Sequence, residues 1–288
     1  MNIINKTTKN FKTVYRIGCV KIFTRKEFKR LLSEYNAIKI AKKMLACCDI
    51  TKVKQATGQS RIIQTKNIEL LAEFASFCEQ KGVGYWLDFG TLLGAVRHKG
   101  FVPWDDDVDV SMLWSDLEKI LPEIRLHFGA LGYDVRECET SIEHYQVRIN
   151  KENNVVGLDV FPVKPYCGKT DKKAVSARVH EAQKELMKQL SAADVEDIND
   201  IRNKIKEIES DFINNTSDKN ATMYFYGIDF PHEHETIAFK SEELFPLKKM
   251  EFEGRLYSCP FNSEAHLKDL YGDYMTFPVC EDDESLIS

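Results

Sequence analysis

No stretch of this chain approaches the roughly 18 apolar residues that a helix needs to cross a bilayer. Its first residues, MNIINKTTKNFK, lack the apolar centre of a secretory signal. The expectation is a cytoplasmic protein. Eight cysteines are present, yet none stands in a C-x-x-C pair. They are scattered through apolar segments, which suits reduced thiols and argues against a disulfide framework or a structural zinc site. Internal repeats and low-complexity tracts are also missing. With 43% hydrophobic and 30% charged residues over 288 positions, the chain can bury a core as one large domain or two small ones.

Charge is plentiful but unevenly placed. Residues 1–66 hold 16 Lys and Arg against three acids, a net of +13, and the remainder holds 24 against 42, a net of −18. A basic arm on an acidic body points to an anionic partner. Nucleic acid and anionic lipid headgroups both fit on charge alone, each basic residue near a lipid surface contributing about 1 kcal/mol.

Periodicity divides the chain. Residues 11–23 alternate as a short hairpin or a surface-seeking segment. An apolar stripe with lysines between marks a helix over 26–48, and TGQSR at 57–61 reads as a linker. A second helix is expected at about 62–80, stopped by Gly82. VGYWLDFG is strand-rich, and TLLGAVRHKG suggests one or two helical turns and a loop. Residues 107–112 alternate as a strand. Ser115 and Glu118 then suggest a capping box, with Pro122 limiting or kinking the helix they open. Strands follow at 145–150 and 155–163. Residues 171–214 are helical and highly charged, either an inserted subdomain or a solvated hairpin. A hairpin over 239–262 and a helix over 263–275 complete the pattern.

The segment WDDDVDV, residues 104–110, puts four carboxylates into five positions. An EF-hand loop starting at Asp105 fails, because Val110 stands where glycine is needed and Asp116 where glutamate is. A solvated acidic turn is the plain alternative. Alternation, however, puts Asp107 and Asp109 on one strand face and Val108 and Val110 on the other. A divalent cation turns such repulsion into chelation, and hard oxygen ligands select Mg²⁺ or Mn²⁺. Upstream, Gly90 and Gly94 flank a turn whose N–H groups could face a phosphate. Arg97, Lys99 and Arg148 could neutralise one. Asp159, in LDVFPV, could complete the metal shell or accept a proton. His232 and His234 are read as solvated. The aromatics Trp86, Tyr145, Tyr166, Tyr224, Tyr226, Tyr271 and Tyr274 are available to cage a quaternary ammonium but are equally core residues.

The strings YWLDFGTLLGAVRHKGFVPWDDDVDVSM, GLDVFPV, FPLKKMEFEG…CPFN and LYGDYMTFP together resemble the LicD family of phosphocholine transferases and their fukutin-like relatives. The resemblance runs from about residue 65 to about 280 and leaves the basic arm and central helices outside it. It implies an α+β fold, a nucleotidyltransferase-like mixed sheet flanked by helices, with an added helical segment and a basic N-terminal arm. With the charge and periodicity it divides the chain into a basic arm at 1–61, offered as a membrane-surface attachment outside the resemblance, a catalytic core at 62–170, a helical insertion at 171–238 and a core-completing part at 239–288.

It also implies substrate contacts at Gly90 and Thr91, catalytic carboxylates at Asp105, Asp107 and Asp109, and a further one at Asp159. With these the reading assigns Mg²⁺ or Mn²⁺ to Asp105, Asp107 and Asp109, and phosphate contacts to Arg97 and Arg148. Activity in such a family moves a phospho-group from a CDP-activated donor, CDP-choline foremost, to a glycan or lipid-linked glycan hydroxyl, releasing CMP. The basic arm would then meet an anionic membrane at its inner face, with no nucleic acid partner. Two other functions compete: a D-x-D glycosyltransferase using a nucleotide sugar, and a non-catalytic membrane-recruited scaffold.

Overall fold

The computed structural model describes residues 4–9, 12–17, 20–24, 33, 45, 48–138, 146–151, 155–166, 171–193, 198–213, 220–230 and 238–277. The chain forms two compact units, one of residues 1–50 with 276–288 and one of residues 51–275. In the first, β1 (Ile4–Lys9), β2 (Lys12–Ile17) and β3 (Val20–Thr24) make an antiparallel meander, with a register shift at Tyr15/Arg16. The alternation at 11–23 is thus a hairpin with one more strand before it. The helix expected at 26–48 lies almost wholly outside the described residues, as do Tyr145, His232 and His234.

The second unit opens with helix α1 (Gly58–Lys81), closed by Gly82 in the left-handed conformation. Helix therefore begins inside the segment read as a linker; Thr57 takes the extended N-cap position and Gly58 adopts φ +62°. Glycine tolerates that angle without a Cβ clash, which lets the turn lead straight into helix. After α1 come β4 (Trp86–Leu87), α2 (Phe89–His98), β5 (Val108–Leu113), α3 (Trp114–Ala130), β6 (Asp134–Cys138), β7 (Gln146–Lys151) and β8 (Val156–Tyr166). The proposed capping box at Ser115 is absent. Strand β5 runs directly into α3, Leu113 holds the N-cap position without a side-chain bond, and Ser115 already lies within the first turn. Pro122 does not end that helix, which continues to Ala130.

The remaining elements are α4 (Lys172–Ala193), α5 (Ile198–Ile213), β9 (Met223–Phe225), β10 (Ala238–Lys240), α6 (Ser241–Leu244), β11 (Lys248–Phe252), β12 (Arg255–Cys259) and α7 (Ser263–Tyr271). Seven strands form one mixed sheet in the order β10-β9-β8-β5-β4, with β7 also on β8 and β6 on β7. Among the described residues only β5 and β8 pair in parallel, and β11 and β12 form a separate hairpin. Eleven-residue β8 is the hub, pairing with β5, β7 and β9 along its length.

Alternation gives the sheet two different faces. Val108, Val110, Leu158, Val160, Val147 and Ile149 pack against α1 through Leu70, Leu71, Phe74 and Phe77, and against α3 through Leu117, Ile120, Ile124 and Phe128. Each such side chain contributes about 1.5–3 kcal/mol on burial. The opposite face carries Asp109, Asp159 and Arg148 on adjacent strands, and beside them an aromatic cluster with Trp86, Phe161, Tyr226, Phe230 and Phe239.

Helices α4 and α5 are more than a solvated hairpin. Val175, Val179, Ala182 and Leu186 are buried against Tyr166, Met223, Phe225 and Ile228. Lys164 on β8 meets Glu209 of α5 at 2.6 Å with both side chains buried, and Glu209 also accepts from the Ile228 N–H at 3.1 Å. Removing one partner of such a pair strands a charge in a place without water. Lys164→Met is therefore expected to cost about 3–5 kcal/mol in denaturant unfolding. Adding Glu209→Gln recovers the larger part, since an amide keeps the Ile228 bond without a buried charge.

Candidate active site

The acidic segment is built on a fixed turn. The Asp105 N–H donates to the Val102 carbonyl at 2.9 Å, closing a turn through Pro103 and Trp104. Two buried amides of α1 hold the backbone that follows. Gln64 Nε2 donates to the Asp105 carbonyl at 2.7 Å, and Asn67 Nδ2 donates to that of Asp106 while its Oδ1 accepts from the Gly157 N–H at 2.9 Å. Arg61 grips Glu253 of the β11–β12 hairpin through two bonds of 2.9 and 2.8 Å and also bonds Gln64. Glu253 in turn takes the Phe101 N–H. The loop is thus tied from a helix and a hairpin at once.

Glycines do particular jobs beside it. A Cβ on Gly90 would lie 2.5 Å from Asp105 Oδ2 and 3.6 Å from Asp109 Oδ2, so the bare backbone of α2 lies under the carboxylates. A Cβ on Gly94 would lie 2.4 Å from the Gly100 carbonyl, which makes that glycine a packing contact with the 100–102 loop. The Thr91 hydroxyl, almost fully buried, accepts the Asp109 N–H at 2.8 Å. Its observed task is to hold the acid strand. Phe89, between Asp88 and Gly90, sits at φ +42°, a strained angle for a side-chain-bearing residue.

Asp109 and Asp159 stand opposite one another on β5 and β8, and Arg148 stands opposite Asp159 on β7. Arg148 forks onto Asp159 with two bonds of 2.7 Å. Burial, and then the charges of Asp107, Asp159, Asp105 and Asp88, raise Asp109 well above the ordinary carboxylate range. Burial also pushes Asp105 up to about 8, helped by its hydrogen bond with Asp107 and by the charges of Asp107 and Asp106. Asp106 and Asp107 are exposed. Among the described residues no three His, Cys, Asp or Glu side chains form a ready-made metal cage. Two carboxylates with room for phosphate and water are nevertheless what Mg²⁺ takes. The mutual repulsion that raises Asp105 and Asp109 is the quantity a cation would relieve, so the donor set fits one.

Arg97 is nearly buried in the last turn of α2, beside Tyr271, Asp273 and Tyr274; burial lowers its proton affinity and those neighbours raise it. Tyr271 is itself raised by burial and then by the charges of Asp109, Asp88, Asp105 and Asp107. The end of α7 therefore lies within electrostatic range of the acids, and Gly272 also terminates that helix. Trp86, Tyr166, Tyr224 and Tyr226 are core residues.

One acid was not singled out from the sequence. Asp88 is fully buried and caps α2 by accepting the Phe89 N–H at 2.9 Å. It also accepts from Trp86, Ser111, Tyr226 and His266. Burial would raise it, but His266 and these bonds bring it below the usual value. The Asp88 letter lies inside the quoted WLDFG string; its partners are too remote in sequence to be read from it. Gln64 and Asn67 went unremarked for the same reason, although polar residues on the apolar face of α1 were a visible signal.

The described fold is thus a mixed α+β sheet with carboxylates on adjacent strands, above a glycine at a helix start. Residues 82–199 match the LicD/FKTN/FKRP nucleotidyltransferase domain, so the resemblance carried by the motif string holds over that stretch. The match takes in α4 and ends just inside α5, so it includes part of the helical segment the sequence reading had left outside. The chain is 53% identical over 45 residues to the lipopolysaccharide cholinephosphotransferase LicD of Haemophilus influenzae, which is 16% of this chain and 17% of that protein. It is 36% identical over 95 residues to the ribitol 5-phosphate transferase FKRP of Mus musculus, covering 31% and 19%. To the mouse ribitol-5-phosphate transferase FKTN it is 30% identical over 105 residues, covering 36% and 22%. The chain thus covers 17% to 22% of the length of these relatives.

Two outcomes are expected. Gly90→Ala forces Asp105 aside by the end of a flexible side chain, so unfolding changes by less than about 1 kcal/mol while the rate falls about 100-fold, as for a misplaced reacting group. The raised acids also set a pH dependence. From about pH 4, where a free Asp ionises, towards 8, the cation-free native state keeps protons that the unfolded chain has lost. Stability then falls as pH rises through this window. Thermal scans should show Mg²⁺ raising the midpoint more at pH 8 than at pH 5.

Proposed function

We propose that this chain transfers a phospho-group, phosphocholine foremost, from a CDP-activated donor to a hydroxyl of a cell-surface glycan or lipopolysaccharide, releasing CMP. The observation that carries the reading is the in-register pair Asp109–Asp159 on parallel strands, with Asp105 over Gly90 and Arg148 alongside. The named activities of the LicD, FKRP and FKTN relatives supply the chemistry.

Asp107 and Asp109 are the residues that would hold Mg²⁺ or Mn²⁺, with Asp105 as a third ligand or an orienting neighbour. Bound there, the cation would offset the negative charge of donor phosphates. Gly90 brings backbone close to the same point. Arg148, held in one orientation by Asp159, offers a planar guanidinium to phosphate oxygens, and Arg97 is a second basic contact. Asp159 is expected to accept a proton from the attacking hydroxyl or to share the metal. Both its oxygens now accept from Arg148, so it orients that arginine, and a base role requires the pair to open. No helix among the described residues is long and apolar enough to cross a membrane. The basic charge at 1–66 suits docking on an anionic lipid surface at the cytoplasmic face, which would bring lipid-linked glycans within reach.

A panel of CDP-linked choline, ethanolamine, glycerol and ribitol donors tests this reading, scored by CMP release and by the mass added to a glycan. Turnover of a nucleotide sugar and of no CDP donor would replace it with glycosyl transfer. Asp107→Asn should lower the rate on the order of 100-fold or more, as for loss of a charge-stabilising group. Exposed Asp106, whose carbonyl is the part held by Asn67, should tolerate Asn far better; equal losses would break this sorting of the acids.

A further inference from the structure

Five donors converge on the one buried carboxylate of Asp88. Trp86 Nε1 lies at 3.1 Å, Ser111 Oγ at 2.6 Å and the Tyr226 hydroxyl at 2.8 Å from Oδ2, while the Phe89 N–H at 2.9 Å and His266 Nε2 at 2.7 Å reach Oδ1. Asp88 and His266 are 0% and 1% exposed. A helix cap alone does not require this. Asparagine caps as well as aspartate, but its amide would turn two N–H donors towards neighbours that are themselves donors. The other ring nitrogen of His266, Nδ1, is buried without a hydrogen-bond partner. A fold that accepts an orphaned buried nitrogen to keep a histidine invites a functional explanation.

The connections lead to the acid strand. The Asp88 N–H donates to the Asp109 carbonyl at 3.1 Å, and the Asp109 N–H donates to Thr91 three residues further along the helix that Asp88 caps. Both backbone polar groups of Asp109 are therefore set by the start of α2. That start is held by Asp88, and Asp88 is held by His266 from α7, 178 residues away. The same helix ends in Tyr271, whose hydroxyl feels the charges of Asp109, Asp88, Asp105 and Asp107.

We infer that Asp88 and His266 are a buried positioning pair that fixes Asp109 and Gly90 in register with the acid loop, making α7 a working part of the active site. The pair touches no substrate; it acts through the start of α2. The kinetic arm of its test rests on the phospho-transfer reading, whereas the exchange arm does not.

The variants are His266→Leu, His266→Gln, which can keep a donor towards Asp88, and Tyr226→Phe, which removes a single donor at nearly constant shape. Each is made in the full chain and measured for amide hydrogen exchange at Phe89 and Asp109, for kcat and for donor KM. In His266→Leu and Tyr226→Phe, exchange at those two amides should rise while the amides of α3 stay protected. The kcat should drop about tenfold or more with KM within about twofold, the pattern of a displaced catalytic group. His266→Gln should return towards wild type in both measurements. If His266→Leu does not fold, Tyr226→Phe decides. Wild-type kcat together with unchanged Asp109 exchange in a folded variant overturns the inference, as does faster exchange spread evenly over every helix. A local rise at Asp109 in a protein that turns over no donor at all supports the positioning pair and removes the phospho-transfer reading.

Discussion

Like charges held within a few ångströms of one another set the terms for this molecule. Asp105, Asp107, Asp109 and Asp159 stand around one end of a parallel strand pair, and nothing about four carboxylates makes them stay there unaided. The surroundings do the holding from the backbone side. Gln64 and Asn67 take two consecutive carbonyls of the loop, Thr91 and Asp88 take the N–H and carbonyl of Asp109, and Arg148 takes Asp159. The side-chain oxygens of the D-x-D residues are thereby left for chemistry while their main chain is fixed.

Local physics made the centre of this site legible in advance. Strict alternation placed Asp109 and the valines on opposite faces of β5, and the same period located β7 and β8 with Arg148 and Asp159. Gly82 and Gly272 marked helix ends because glycine reaches backbone angles other residues avoid. Other features escaped because their cause is non-local. Strand β6 carries no periodic signal strong enough to announce it and exists as the partner of β7. Helix α1 begins at Gly58, ahead of its apolar stripe, and its extra turn carries Arg61 to Glu253 of a distant hairpin. The glycines had been given to phosphate; Gly94 is instead a close approach between α2 and a loop, a fact of packing that spacing does not contain.

The charged helical segment carries a related lesson. Composition leaves α4 and α5 open between an inserted subdomain and a solvated hairpin, and their polar faces do meet water. Yet each has one face committed to the sheet extension formed by β8, β9 and β10, and the Lys164–Glu209 pair fixes where α5 lies. Glu209 also holds the Ile228 N–H, and Phe230 nearby stacks on Tyr226, itself a donor to Asp88. The helical segment and the acid centre thus share neighbours, although no residue of α5 is itself near the carboxylates in sequence.

The hairpin turn at Glu253 has a consequence in time. Its grip on Arg61 closes a loop of 192 residues, and its bond to Phe101 closes one of 152. Contacts so distant along the chain form slowly, since a long segment must be ordered before they repay it. On a ribosome adding about 5–20 residues per second, the acid loop emerges many seconds before the turn that clamps it. A nascent chain therefore exposes its carboxylates early and gains the hairpin clamp only once Glu253 has emerged, and a product cut short before Glu253 would carry every acid of the motif without that clamp on the loop.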